Sequence, residues 1–231
     1  ATYRSEGIGF LIMEITVKKI DTVIFDLDGT LLNTLEDLTD SVNFSLKNAS
    51  FPTRTLEEVR HFLGNGAERL MELSIPEGKN NPLFAMCLVD FRKHYKKNII
   101  NKTCPYPGIM TVLKKLKNND YKLAVVSNKF DEAVKMLNKH FFSEYIKTAI
   151  GERAGILKKP APDTVYTALK ELGTSSENTV YVGDSEVDAK TAKNSGLIFV
   201  GVTWGFRDRE VLKNEKADYI IDKPEELLNI L

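Results

Sequence analysis

The stretch Thr22-Val23-Ile24-Phe25-Asp26-Leu27-Asp28-Gly29-Thr30 joins a short apolar run to two aspartates, a glycine and a threonine. A continuous apolar run of this length is typical of a strand that helices cover on both faces, as in a parallel sheet. In open α/β sheets the ligand crevice lies at the carboxyl ends of the strands. Because residues i and i+2 of an extended chain lie on the same side, we expect Asp26 and Asp28 to converge on one ligand.

Three more apolar runs of strand length follow, at residues 123–126, 179–182 and 198–202. Segments with helical periodicity lie between them, at residues 109–116, 131–137 and 164–172. This alternation predicts an α/β fold with a doubly wound parallel sheet.

Residues 35–104 break the alternation, because they show only helical periodicity and predict about four helices inserted after the first strand. The turn Pro105-Tyr106-Pro107-Gly108 ends this insertion. We therefore predict an N-terminal extension and the start of the core domain in residues 1–32, an all-α cap domain in 33–106, and the remainder of the core in 107–231. Residues 1–12, which precede Met13, are predicted to be an upstream extension without a function.

Composition and charge exclude several classes of protein. The chain carries 32 Lys and Arg against 32 Asp and Glu, so it has no long-range field to hold a nucleic acid or a membrane surface. With only Cys87 and Cys104, disulfides cannot form a framework, which favours a reduced, cytoplasmic setting. The most apolar stretch near the N-terminus is far too short to span a bilayer. Small polar molecules remain as partners, while both a monomer and a homodimer are open.

Polar groups also follow other predicted strands of the same sheet. The second strand runs into Ser127-Asn128-Lys129, the third into Gly183-Asp184-Ser185, and Lys158-Lys159-Pro160 precedes a helix between them. The alternative reading is that Asp28-Gly29 forms a simple turn and Asp26 a solvated strand end. Polar groups at several strand ends of one sheet favour a catalytic site instead.

With these four motifs in this order and spacing, the sequence resembles the haloacid dehalogenase superfamily. The resemblance runs from about residue 19 to 231 and is strongest to its phosphoglycolate-phosphatase-like members. It includes Val-Gly-Asp-Ser-Glu-Val-Asp at residues 182–188 and the stretch Val-Arg-His-Phe-Leu-Gly-Asn-Gly-Ala-Glu-Arg-Leu-Met at residues 59–71 of the predicted cap.

The resemblance implies a Mg²⁺-dependent phosphatase for small phosphate monoesters, with 2-phosphoglycolate as the first candidate substrate. It assigns Asp26 as the nucleophile that forms an aspartyl-phosphate and Asp28 as the general acid and base. It assigns Lys159 as a fixed cation and Ser127 as a phosphate ligand. The ion would be held by Asp26, the backbone carbonyl of Asp28, and Asp184.

For other residues the sequence leaves two readings open. Asp188 either orients Lys159 or a metal-bound water, or it stabilises the first turn of a helix. Thr30 either caps a turn or touches the substrate, and Asn128 either binds phosphate or orders its loop. In the cap, Gly64-Asn65-Gly66 is either a helix-ending turn or a loop that faces the core and helps to select the substrate. Lys158 is the rival of Lys159 for the cation role.

Three rival functions fit parts of the pattern. A phosphomutase of the β-phosphoglucomutase kind has Glu-Asp where this chain has Gly183-Asp184, and a pyrophosphatase shares the motifs. A non-enzymatic receiver module that is phosphorylated on Asp26 requires neither Asp28 nor a cap. We predict a phosphatase, with a pyrophosphatase or a phosphomutase as the alternative and the receiver module as a remote one.

Overall fold

The computed structural model describes residues 19–231, so the predicted extension at residues 1–12 lies outside the described part of the chain. The strands are β1 (Thr22–Phe25), β2 (Leu32–Asn33), β3 (Cys104–Pro105), β4 (Lys122–Phe130), β5 (Thr148–Glu152), β6 (Thr179–Gly183), β7 (Ile198–Val202) and β8 (Tyr219–Ile221). The helices are α1 (Leu35–Asn48), α2 (Leu56–Phe62), α3 (Ala67–Ser74), α4 (Phe84–Asn98), α5 (Ile109–Asn118), α6 (Asp131–Phe141), α7 (Asp163–Leu172), α8 (Glu186–Ser195) and α9 (Arg209–Asn214).

Six strands form one parallel sheet in the order β5-β4-β1-β6-β7-β8. Alternate residues of β1 enter two different buried clusters: Val23 and Phe25 join one, and Ile24 joins the other. Helices α5 and α6 contribute to the first cluster, whereas α7 and α8 contribute to the second. Helices thus cover both faces of the sheet, which confirms the predicted doubly wound fold and explains why the strands read as continuous apolar runs.

Helices α1 to α4 form the inserted helical cap that the sequence predicted. Their buried residues belong to the same cluster as α5 and α6, so cap and core share a continuous apolar interior. Helix α2 begins at a capping box in which Thr55 and Glu58 each accept a backbone hydrogen bond from the other. Strands β2 and β3 pair antiparallel where the chain enters and leaves the cap, next to the predicted limits at residues 33 and 106, which stay a prediction.

Two strands of the sheet escaped sequence analysis. Strand β5 contains Ala149 and Gly151, and β8 has three residues, so neither presents a long apolar run. After β8 the chain forms a short 3₁₀ helix, Pro224–Asn229. Within the described residues, no helix has both the length and the apolar character needed to cross a membrane.

Asp37 joins the two chain segments at the base of the cap. It lies buried in the first turn of α1, where its carboxylate accepts hydrogen bonds from the backbone N–H groups of Lys102 and Thr103 and from the Thr103 hydroxyl, at 2.8–3.1 Å. Hydrogen bonds to a buried charged acceptor are stronger than neutral ones. The carboxylate therefore fixes the returning chain against α1.

We predict that Asp37→Asn lowers the free energy of unfolding by about 2 kcal/mol, because an amide keeps the size of the side chain and removes the charge that these donors share. Urea denaturation measures the change. Asp40→Asn is the matched control: its carboxylate is exposed 2.8 Å from the Lys102 ammonium, and an exposed pair contributes less than about 1 kcal/mol. Equal effects of the two substitutions would contradict the role given to Asp37.

Candidate active site

A buried ammonium group lies at the centre of the site. Lys159 Nζ is 2.6 Å from Asp26 Oδ1 and 2.7 Å from Asp188 Oδ1, and its side chain is only 3% exposed. The hydroxyl of Tyr181 is 3.0 Å from both Lys159 Nζ and Asp188 Oδ1. Asp26 follows β1, and Asp188 lies in the first turn of α8 after β6. Because β1 and β6 are neighbours, the sheet order brings these groups together.

Asp188 has both of the contacts that the sequence left open. Its Oδ1 accepts a hydrogen bond from Lys159, whereas its Oδ2 accepts from the backbone N–H and hydroxyl of Ser185 in the capping box of α8. The capping contacts fix the carboxylate, and the carboxylate in turn orients the ammonium. A helix-terminal role and an orienting role are therefore compatible in one residue.

Asp184 lies beside this pair, held by a close-fitting backbone. Its Oδ2 accepts a hydrogen bond of 2.6 Å from the Phe206 N–H, and its Oδ1 lies 3.4 Å from the Thr30 hydroxyl. A side chain at Gly29 or Gly205 would collide with the Asp184 carboxylate. Gly29 also has a φ of +86°, which L-residues with side chains rarely adopt. The motif glycine thus makes room for the second strand-end carboxylate.

Burial disfavours the charged form of two carboxylates of the site, Asp184 and Asp26. Burial raises the pKa of Asp184 to about 7, with a further contribution from Asp188. Burial also raises the pKa of Asp26 well above its usual range, although Lys159 opposes the shift. Burial alone would lower the pKa of Lys159, but Asp188 and Asp26 outweigh it and raise that pKa. One ammonium therefore does not compensate the negative charge at the strand ends.

The donor set of the site suits a hard divalent cation. Asp26, Asp184 and Asp188 each offer a carboxylate oxygen within 4.8 Å of the others. Mg²⁺ binds oxygen ligands, and a cation here would relieve the repulsion among three buried carboxylates. Two of these residues, Asp26 and Asp184, are ligands that the sequence predicted. The third predicted ligand, the carbonyl of Asp28, stays a prediction.

The side chain of Asp28 lies outside this cluster and faces the cap. Its Oδ1 accepts a hydrogen bond of 2.6 Å from the Thr34 hydroxyl and lies 3.0 Å from Lys129 Nζ. Asp26 and Asp28 nevertheless line the same cavity, as the period of the extended chain led us to expect. The two aspartates of the motif therefore contact different lysines. Asp26 contacts Lys159, and Asp28 contacts Lys129 at the end of β4.

The cap loop at residues 64–66 contacts the core through its backbone. The Asn128 amide donates to the carbonyls of Gly64 and Lys159, at 3.1 and 3.0 Å, and Lys158 Nζ donates to the Asn65 carbonyl. These contacts place Asn128 and Lys158 at the junction of cap and core, which favours an ordering role for Asn128 and leaves Lys159 as the lysine beside Asp26. Whether the loop selects the substrate stays a prediction.

The cap covers the site and leaves a partly open cavity of about 50 Å³. Its core side contains the predicted catalytic residues Asp26, Asp28, Ser127, Lys159 and Asp184. Its cap side is mostly apolar and includes Leu38, Leu63, Ala67, Leu70, Phe91 and Tyr95. A cavity needs about 10–15 Å³ to hold one water molecule, so this cavity holds only a small ligand.

Sequence reasoning missed three side chains of the site. Arg207 donates to the Leu63 carbonyl at 2.6 Å and pairs with Glu186 at 3.0 Å, so it connects the cap to the start of α8. Tyr181 appeared only as an apolar residue of β6. Lys129 was named only among the polar residues after the second apolar run, without a role. Because it follows Ser127 by two residues at the end of β4, the period of an extended chain could have placed it on the same side as Ser127.

The sequence matches the family described as haloacid dehalogenase-like hydrolase over residues 23–202. The chain belongs to this family. The match covers most of β1, the cap, and the segments that carry Ser127, Lys159 and Asp184. Membership of a hydrolase family confirms the resemblance seen in the sequence and favours an enzyme over a receiver module.

Relatives of this haloacid dehalogenase-like hydrolase are similar over nearly their whole length. The phosphoglycolate phosphatase of Aquifex aeolicus (strain VF5) is 30% identical over 210 residues, which are 90% of this chain and 95% of that protein. The phosphoglycolate phosphatase of Vibrio cholerae serotype O1 is 30% identical over 222 residues, 93% and 98% of the two chains. The crystal structure of a protein described as a phosphoglycolate phosphatase from Lactobacillus delbrueckii subsp. bulgaricus has a TM-score of 0.86 to this chain at 35% identity. The match covers 92% of this chain and 98% of that one.

We predict that the metal-free hydrolase loses stability, relative to Asp184→Asn, as the pH rises from about 4 to about 7. The folded chain keeps a proton on Asp184 up to about pH 7, whereas the unfolded chain releases it near pH 4. Stability therefore falls with rising pH by up to about 1.4 kcal/mol per pH unit for this group. Urea denaturation in EDTA measures the free energy of unfolding of the wild type and of Asp184→Asn at each pH. The difference between the two removes the contribution of titrating groups that both proteins share.

Addition of Mg²⁺ at pH 8 is expected to raise the melting temperature of the wild type and not that of Asp184→Asn. Asp40→Asn, which alters an exposed carboxylate, serves as the control and should respond like the wild type. A difference between wild type and Asp184→Asn that does not change between pH 4 and 7 would contradict the assignment.

Proposed function

We propose that this protein is a Mg²⁺-dependent phosphatase that hydrolyses small phosphate monoesters, with 2-phosphoglycolate as the preferred substrate. The observation that carries the proposal is the buried Asp26–Lys159 pair, which lies with the carboxylates of Asp184 and Asp188 in one small cavity. A nucleophilic carboxylate beside a fixed cation is the arrangement that phosphoryl transfer through an aspartyl-phosphate needs.

The residues that would hold the ion are Asp26 and Asp184, together with the Asp28 carbonyl, and Asp188 lies close enough to support them. When bound, Mg²⁺ supplies positive charge that lets an anionic phosphate approach an anionic nucleophile. Lys159 supplies a second, fixed positive charge. The Ser127 hydroxyl, at the end of β4 in the same cavity, is placed to bind a phosphate oxygen.

The proposed reaction has two displacements at phosphorus. In the first, an Asp26 carboxylate oxygen forms a bond to phosphorus as the ester P–O bond breaks, and Asp28 donates its proton to the leaving alkoxide. In the second, Asp28 takes a proton from water, the water oxygen attacks phosphorus, and the Asp26–phosphorus bond breaks. Inorganic phosphate leaves, and both aspartates return to their starting states.

The size of the cavity supports a substrate with a short tail. About 50 Å³ of space, with an apolar cap lining, suits a phosphate group carrying one or two carbons better than a sugar phosphate or a nucleotide. The phosphoglycolate phosphatases of Aquifex aeolicus and Vibrio cholerae are similar to this chain over at least 90% of its length. These two observations together favour 2-phosphoglycolate.

We predict that Asp26→Asn lowers kcat with p-nitrophenyl phosphate at least about 10³-fold, because an amide cannot form the phosphoenzyme. Phosphate release is measured with Mg²⁺ and with EDTA, and chelation should also abolish wild-type turnover. Asp40→Asn is the control for a neutralised carboxylate away from the site. Equal rates of wild type and Asp26→Asn would overturn the phosphatase proposal.

Asp28→Asn is expected to lower kcat by about 10²–10⁴-fold while KM and the binding of Mg²⁺ change little. Asparagine keeps an oxygen that can accept hydrogen bonds from Thr34 and Lys129, but it cannot transfer a proton. The loss should be smaller for esters with good leaving groups, such as p-nitrophenyl phosphate, than for 2-phosphoglycolate. Unchanged turnover of 2-phosphoglycolate would remove Asp28 from the acid and base role.

A further inference from the structure

Lys129 is a second buried ammonium in the cavity, and the proposed reaction does not use it. Its side chain is only 4% exposed, and its Nζ lies 3.0 Å from Asp28 Oδ1 and 4.5 Å above the ring centre of Tyr95. Lysine is seldom buried unless it is paired or bound to a ligand. Since an ammonium has three donors, one carboxylate and one ring face leave it able to bind a further anion.

Tyr95 provides a second observation at the same place. It is fully buried in α4 of the cap and lines the cavity, yet its hydroxyl has no hydrogen-bond partner among the described residues. A buried hydroxyl without a partner costs free energy unless a ligand or water satisfies it. Lys129 from the core and Tyr95 from the cap thus meet in the lining of one cavity, where the ammonium has donors left and the hydroxyl has no partner among the described residues.

The rest of the cap lining limits what this corner can bind. Leu38, Leu63, Leu70 and Phe91 offer no groups for the several hydroxyls of a sugar. An anionic group of a small ligand would be neutralised by Lys129 and would accept a hydrogen bond from the Tyr95 hydroxyl. Lys159, the other buried ammonium, already contacts Asp26 and Asp188 on the phosphoryl side.

We propose that Lys129, assisted by Tyr95, binds a carboxylate in the non-transferred part of the substrate and so selects phosphorylated 2-hydroxy acids over neutral phosphate esters. This inference rests on the proposed function, since it concerns the part of the substrate that the phosphatase site does not transform. On binding, the ammonium takes the substrate carboxylate as an additional partner beside Asp28.

The test compares two esters that differ only in the tail. Ethyl phosphate has a methyl group where 2-phosphoglycolate has a carboxylate. In Lys129→Met the ratio of kcat/KM for 2-phosphoglycolate to that for ethyl phosphate should fall at least about 30-fold, mainly through KM, as expected for the loss of one charge-assisted hydrogen bond in a closed site. The ratio is the readout because loss of the contact between Lys129 and Asp28 changes the hydrolysis of both esters alike, whereas loss of a contact with the substrate carboxylate changes only that of 2-phosphoglycolate.

Lys135→Met is the matched control. Lys135 forms an exposed pair with Asp131 on α6, near the same strand end, and its removal should leave the ratio unchanged. Tyr95→Phe is the second variant and keeps the proposal testable if Lys129→Met does not fold. Because the Tyr95 hydroxyl has no partner among residues 19–231, the phenylalanine variant should fold as the wild type does and lower the ratio about threefold or more.

Parallel loss on both esters, or no loss on either, would assign Lys129 a structural role and overturn the inference, while wild-type hydrolysis of 2-phosphoglycolate would leave the proposed function intact. Hydrolysis of ethyl phosphate but not of 2-phosphoglycolate by the wild type would also overturn the inference and keep a phosphatase. Hydrolysis of neither ester would overturn both proposals.

Discussion

The contact of one buried ammonium with two carboxylates, Lys159 with Asp26 and Asp188, is the interaction on which the site depends. Removing an ammonium from water is costly unless its partners are fixed, and here both are. Asp26 is fixed by its position at the end of a central strand, and Asp188 by the capping box with Ser185. The doubly wound sheet thus supplies the scaffold, and helix capping supplies the orientation.

The cap adds closure without adding charge to the cavity. Its backbone carbonyls accept hydrogen bonds from the core: that of Leu63 from Arg207, that of Gly64 from Asn128 and that of Asn65 from Lys158. Opening of the cap would break these contacts and closing would re-form them, and the apolar lining would then limit access of water to the phosphoryl group. Opening would therefore admit the substrate, and closing would strengthen the electrostatic contacts inside.

The sequence predicted the parts of this arrangement that follow from local pattern. Four apolar runs predicted the sheet and its two covered faces, and one helical stretch predicted the cap. The polar motifs that follow the strands or precede a helix identified Asp26, Asp184 and Lys159 as candidate site residues. Strands β5 and β8 lack a long apolar run, so no local signal revealed them. Lys129 at the end of β4 contacts Asp28 after β1 and lies over the ring of Tyr95 in cap helix α4, and no local pattern in the sequence encodes contacts between such distant segments.

The charges in the cavity explain how a site rich in carboxylates accepts an anion. Asp26, Asp28, Asp184 and Asp188 outnumber the three basic residues that line the cavity, Lys129, Lys159 and Arg207, so the protein alone would repel a phosphate ester. A divalent cation at the three clustered carboxylates reverses this balance on the phosphoryl side. The tail side lies by Asp28, outside that cluster, and there Lys129 is the buried cation in contact. Two separate positive centres thus match a ligand with two separate anionic groups, whereas an ester with a neutral tail would leave one of them unused.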